Sequence, residues 1–102
     1  MKYRIEYVDE IRSDLERIAE FLFAWHADDS ADIFEAIERS IETLMVNPYL
    51  GRPLLTRRKR RELIIGRGKL GYIVRYSIDE GRKLVLILGI RGQRERTFRG
   101  RG

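Results

Sequence analysis

Arginine and lysine are the residue types with the most chemistry to offer in this sequence. The 102-residue chain holds 21 Lys/Arg, and 16 of them follow residue 51, where they stand against 4 Asp/Glu. Before that point the balance reverses to 5 Lys/Arg against 12 Asp/Glu, so a net charge of +5 conceals an acidic half and a basic half. Such a split gives a molecule with one negative and one positive side. Guanidinium forks grip phosphates or carboxylates bidentately, so the basic side suits nucleic acid or an acidic protein. The candidates are Arg57, Arg58, Arg60 and Arg61 of the RRKRR run, Arg67 and Lys69 at a turn, Arg75 within a strand, and Arg91, Arg94 and Arg96 near the C-terminus. Tyr72 and Tyr76 share one strand face and could stack on bases, but an apolar strand makes the core their expected place.

Other chemistries find little support. The chain has no Cys and one His, which excludes disulfides, thiol nucleophiles, zinc knuckles and Cys–His catalysis. His26, alone at a helix end, reads as a surface or capping residue rather than a general base. The acidic residues fall mainly on two amphipathic segments, where solvated helix faces account for them. Gly66-Arg67-Gly68 opens no helix and fits no phosphate-cradling loop. No apolar run approaches the roughly 20 residues of a membrane span, and there is no signal-peptide core, so a soluble, cytoplasmic protein without membrane contacts is expected.

The elements that must position the arginines follow from periodicity. Residues 3–8 alternate and read as a strand. Asp9 is placed to cap a helix whose apolar stripe runs through Ile11, Leu15, Ile18, Leu22 and Trp25. A break at 26–30 precedes a second amphipathic helix with Ile33, Ile37, Ile41, Leu44 and Met45 on its apolar face. That helix must end before Pro48. The turn-rich segment 47–53 then leads through the basic run to strands at 62–65, 71–78 and 83–90, the last two joined by a hairpin at 79–82 in which Gly81 supplies positive φ. The tail 91–102 is basic, glycine-rich and expected to be partly frayed. The order β-α-α-β-β-β predicts one α+β domain over 1–102. It is a two-layer sandwich with two antiparallel helices on one face of a mostly antiparallel four-stranded sheet, the first strand lying at the edge beside the last.

These segments carry particular residues in a particular order. They are Asp14-Leu15 with Ile18, Asn47-Pro48, Gly51-Arg52-Pro53, Arg61-Glu62-Leu63, Gly71-Tyr72 with Tyr76, and Arg91-Gly92-Gln93-Arg94-Glu95. Through nearly the whole chain this pattern resembles the RelE/ParE superfamily of bacterial type II toxin–antitoxin toxins. The resemblance implies two possible activities on one fold. The RelE-like branch is a metal-independent endoribonuclease that cuts mRNA on the ribosome, using basic residues and a C-terminal tyrosine. The ParE-like branch, associated with plasmid stabilisation, poisons DNA gyrase without that set.

Residues carried over by position favour the second branch. Ile64, Gly66 and Ile73 stand where the nuclease branch has basic residues, Arg94 alone matches its C-terminal arginine, and Phe98 lies near the tyrosine position without a hydroxyl. An apolar side chain cannot transfer a proton or stabilise a phosphate. The resemblance therefore implies a gyrase inhibitor that needs no catalytic residue, metal or cofactor, with Arg58, Arg60, Arg61, Arg91, Arg94 and Arg96 as its target-binding surface. It also implies a cognate antitoxin with an acidic amphipathic segment that folds on binding, laid over the helices and reaching the basic face. The alternatives are a ribosome-dependent endoribonuclease using Arg94 with Arg67, Lys69 and Arg75, and a non-toxic basic nucleic-acid-binding module.

Overall fold

The computed structural model describes residues 2–57, 59–66, 71–95 and 98. The chain runs through strand β1 (Arg4–Tyr7), helix α1 (Ile11–Trp25), a 3-10 turn (Ala27–Asp29) and helix α2 (Ser30–Thr43). Strands β2 (Arg52–Pro53), β3 (Arg60–Ile65), β4 (Tyr72–Asp79) and β5 (Leu84–Gly92) follow. They form one sheet in the order β1-β5-β4-β3-β2. Every pairing is antiparallel except that of β1 with β5, which is parallel and places the first strand at the edge beside the last, as expected.

Among the described residues the sheet therefore has five strands rather than four. The extra one is the two-residue β2, whose Arg52 pairs with Glu62 and Pro53 with Arg61. Two residues have no period to detect, and proline is tolerated there because β2 is an edge.

Both helices pack on one sheet face. Ile11, Ile18 and Leu22 of α1 and Ile37 and Ile41 of α2 meet Tyr72, Val74 and Tyr76 of β4 and Val85, Ile87 and Ile90 of β5. Burying each such side chain contributes about 1.5–3 kcal/mol. Trp25 departs from the expected stripe: it is 74 % exposed at the last residue of α1, whereas Leu22 is fully buried. The cap expected from Asp9 is also absent as a side-chain bond. Instead the backbone N–H groups of Ile11 and Arg12 donate to the carbonyls of Val8 and Asp9 at 3.1 and 3.3 Å.

Three local features differ from expectation or extend it. In the β4–β5 hairpin the left-handed step falls on Lys83, with φ of 52°, and not on Gly81. Asp79 Oδ1 accepts the Arg82 N–H at 3.1 Å and organises that turn. Between Arg75 and Tyr76 the β4–β5 register shifts, so that Tyr76 pairs with Ile87 but Arg75 with Gly89. The bulge reverses the alternation of β5: Val85 and Ile87 face the helices, and beyond it Ile90 does. Finally, the expected fraying does not begin at 91. The strand continues to Gly92, the Gln93 N–H donates to the Gly71 carbonyl at 2.9 Å, and Phe98 is buried.

Candidate functional site on the outer sheet face

The face turned away from the helices collects much of the basic chemistry. Alternation along β3 puts Arg60 and Glu62 there, β4 adds Arg75, and the bulge delivers Arg91 to the same side by pairing it with Ile73. Glu62 is buried at the centre. Its Oε2 accepts Arg75 Nη2 at 2.7 Å, while Arg52 approaches its Oε1 at 3.7 Å. Phe98 closes the far end, 4 % exposed, with the Arg75 guanidinium 4.3 Å and the Arg91 guanidinium 5.2 Å from its ring centre. A cation over an aromatic face is worth about 0.5–2 kcal/mol, more as water is excluded. Beside this cluster a groove of about 690 Å³ runs between the β2–β3 loop and the strands, lined by Arg52, Leu55, Arg57, Glu62 and Arg75.

Arg57 and Arg60 have no carboxylate partner among the described residues. The Arg60 guanidinium is pushed below its usual pKa, first by burial and then by the neighbouring charges of Arg57 and Arg75. Like charges gathered without a counter-ion are costly to the free protein and favourable to an anionic ligand. That ligand can be a phosphate or a carboxylate.

The remaining predicted arginines go elsewhere or serve the fold. Arg61 lies on the helix side, where Nη1 donates to the carbonyls of Gly51 at 2.6 Å and Tyr49 at 3.2 Å, and its guanidinium lies 4.8 Å from the Tyr49 ring centre. Arg91 Nη1 donates to the carbonyls of Gly92, at 3.2 Å, and Glu95. Arg94 stacks on Phe21 of α1 at 3.7 Å and reaches Tyr72 at 5.9 Å, so it belongs to the helix side of the sheet. Arg75 and Arg94 are thus separated by the sheet. Arg58, Arg67, Lys69 and Arg96 lie outside the described residues. Tyr72 and Tyr76 are 1 % and 0 % exposed, which removes them as base-stacking platforms and leaves the core reading.

Two groups were missed by treating the helix polar residues as solvated. Asp14 is 1 % exposed, and its Oδ2 accepts the Ile90 N–H at 2.9 Å. Arg17 donates to Asp14 Oδ1 at 3.0 Å, to the Ile90 carbonyl at 3.1 Å and to Glu95 Oε2 at 2.8 Å. The reason is topological. β1 covers the edge of β5 only as far as Ile87, and beyond it an Asp–Arg pair from α1 takes the place of a neighbouring strand. Burial alone would raise the Glu95 carboxyl, but the Gly92 N–H and Arg17 outweigh it and hold it below its ordinary value. The detectable signal was Asp14 itself, three residues after Ile11 and four before Ile18, inside the apolar stripe.

A second set of bonds shapes the 47–51 loop. The Tyr76 hydroxyl donates to the Pro48 carbonyl at 2.7 Å and accepts the Gly51 N–H at 2.8 Å. Tyr49 and Tyr3 both donate to the Glu80 carboxylate, the former at 2.5 Å. These bonds hold Glu80 below the usual carboxylate range and push the Tyr49 hydroxyl up to about 12.

Among the described residues no group of three or more His, Cys, Asp and Glu could hold a metal ion, and no helix is long and apolar enough to cross a membrane.

The family profile described as the ParE toxin of the type II toxin–antitoxin system, parDE, matches residues 5–97. No curated protein matches the chain significantly. Among solved structures, the RelBE2 toxin–antitoxin complex of Mycobacterium tuberculosis contains a chain that superposes with a TM-score of 0.62 at 21 % identity. The match covers 93 % of this chain and 95 % of that one, a likeness of fold.

Proposed function

Because the chain belongs to the ParE toxin family of type II toxin–antitoxin systems, we propose that it acts as a protein-binding poison of DNA gyrase and blocks replication. The observation that carries this over ribosome-dependent cleavage is the separation of Arg75 from Arg94 by the sheet. Metal-free phosphodiester cleavage needs its basic groups converged within hydrogen-bond reach of one phosphate. Phe98, beside Arg75 and Arg91, offers no hydroxyl to move a proton.

In this reading the outer face is the docking surface. Arg57 and Arg60 are its uncompensated cations, and Arg75 and Arg91 are braced by Glu62 and Phe98. Arg58 and Arg96 remain part of the proposed surface, whereas Arg61 and Arg94 act by holding the scaffold. A cognate antitoxin neutralises the toxin, with carboxylates meeting the same outer-face arginines.

Regulated expression in a bacterium, with separate pulse-labelling of DNA and protein synthesis, tests the proposal. Early loss of DNA synthesis with filamentous cells is expected, followed by inhibition of supercoiling by purified gyrase. R57E and R60E should relieve both effects while the protein still folds. Early loss of protein synthesis with cut mRNA would overturn the gyrase reading in favour of the endoribonuclease. Steeply salt-dependent, sequence-independent nucleic-acid binding without toxicity would instead indicate a basic binding module.

A further inference from the structure

Two surface features on opposite edges of the sheet fit one another. On the helical side, Tyr7 at the end of β1, Leu15 of α1 and Phe34 of α2 line an apolar groove of about 410 Å³, with Glu38 and Glu42 on its rim. Tyr7 is 51 % exposed. Its hydroxyl is pushed above the ordinary tyrosine pKa, first by burial and then by Glu38 and Glu42, so the field of both carboxylates reaches the groove. The groove therefore suits an aliphatic side chain flanked by cations.

A segment of that chemistry is present in the chain itself. Leu55, at the tip of the β2–β3 loop, is 100 % exposed, and Arg52 and Arg57 flank it. Residues on both sides of it are bonded in place. Arg52 and Pro53 pair with Glu62 and Arg61, the Leu54 N–H donates to the Arg60 carbonyl at 2.9 Å, and the Arg60 N–H donates to the Arg57 carbonyl at 2.9 Å. These bonds tie the described residues on either side of Leu55 to β3, which lowers the entropy lost when it docks. It cannot reach the groove of its own molecule, because four inter-strand steps of about 4.8 Å each, roughly 19 Å in all, separate the edges.

We propose that Leu55 of one molecule enters the helix groove of a second copy, with Arg52 and Arg57 meeting Glu38 and Glu42. The knob and the hole lie on different edges, so the contact is heterologous and does not close at two molecules. Each added copy still presents a free groove or a free loop. One leucine and two rim ion pairs make a small interface, so the dissociation constant is weak, on the order of 100 μM. Surface charge pairs of this kind are screened by salt over about 8 Å at physiological ionic strength. The assembly dissolves as salt is raised.

Sedimentation velocity on the purified full chain tests this. At low salt the average mass of the wild type should rise with concentration past the dimer and fall back when salt is added. L55D keeps the groove and loses the knob, while E38K/E42K keeps the knob and loses the rim. Each alone should stay monomeric, with at least a tenfold weaker self-association and an unchanged circular dichroism spectrum and thermal midpoint. Mixed in equal amounts, the two variants should associate and stop at the dimer. A wild type that remains monomeric, L55D that associates like the wild type, or a mixture that stays monomeric would each overturn the proposal. The first result would leave the groove to some other occupant, such as a partner protein, and the second would place self-association at another contact.

Discussion

Replacing Asp14 with alanine tests whether a helix carboxylate stands in for a missing strand. The side chain is 1 % exposed, with Oδ2 on the Ile90 N–H at 2.9 Å and Oδ1 on Arg17 at 3.0 Å. Its removal leaves a buried N–H unpaired, which costs about 1–3 kcal/mol. Breaking a buried ion pair from one side costs about 3–5 kcal/mol. Arg17 keeps Glu95 at 2.8 Å and one fifth of its side chain in water, so the upper end is not reached. We expect a loss of about 3 kcal/mol, a large share of the roughly 5–15 kcal/mol available to a domain of this size. At roughly 4–8 °C per kcal/mol the thermal midpoint should fall by about 12–24 °C. Urea unfolding should show the midpoint moving with an unchanged slope. D14N keeps an acceptor for Ile90 and should recover about half of the loss. D14A and R17A together should cost less than the sum of the singles by about 1–2 kcal/mol, because they share one network. A D14A loss below about 1 kcal/mol, or strict additivity with R17A, would refute the edge-capping argument.

Other expectations follow from the loop and the acidic pairs. Y76F leaves the Gly51 N–H and the Pro48 carbonyl without their partner and should cost about 1–3 kcal/mol in urea unfolding. G51A should cost a similar amount, about 1–3 kcal/mol, because a Cβ there would lie 2.6 Å from the Tyr76 hydroxyl and 2.8 Å from the Glu62 carbonyl. With its pKa raised to about 12, the Tyr49 hydroxyl contributes stability that is whole below the unfolded tyrosine value and lost as pH rises through about 12. Ultraviolet titration should find late-ionising tyrosines, and the two bonded to Glu80, Tyr49 and Tyr3, should move earlier in E80Q. Glu95 is depressed, so its contribution is present above the unfolded carboxylate pKa and lost as pH falls through the lower folded value. The melting temperature of E95Q should accordingly fall less between neutral and acid pH than that of the wild type.

The helices, the three longer strands and the edge position of β1 were legible because their periods are long enough to count. Trp25 misled because it keeps the helical spacing at the last residue of α1, where its side chain is exposed. The faces of the arginines were not legible. Counting by twos from Val85 and Ile87 puts Arg91 toward the helices, and only the bulge between Arg75 and Tyr76 sends it to the outer face. A register shift of one residue leaves no mark on composition. Arg94 was placed among the target contacts on charge alone, whereas its guanidinium is held on Phe21, an aromatic partner more than seventy positions earlier.

The parallel pairing of Arg4–Tyr7 with the 84–87 segment has a consequence for the chain as it is being made. The acidic helical hairpin leaves the ribosome first, and the sheet it covers does not exist until β5 has emerged. At about 5–20 residues per second the second half takes roughly 3–10 s to synthesise. Through that interval the apolar stripes of α1 and α2 have no partner, and the outer basic face has not been assembled. A chain of this topology cannot complete its core or its outer face until its first strand meets the 84–87 segment.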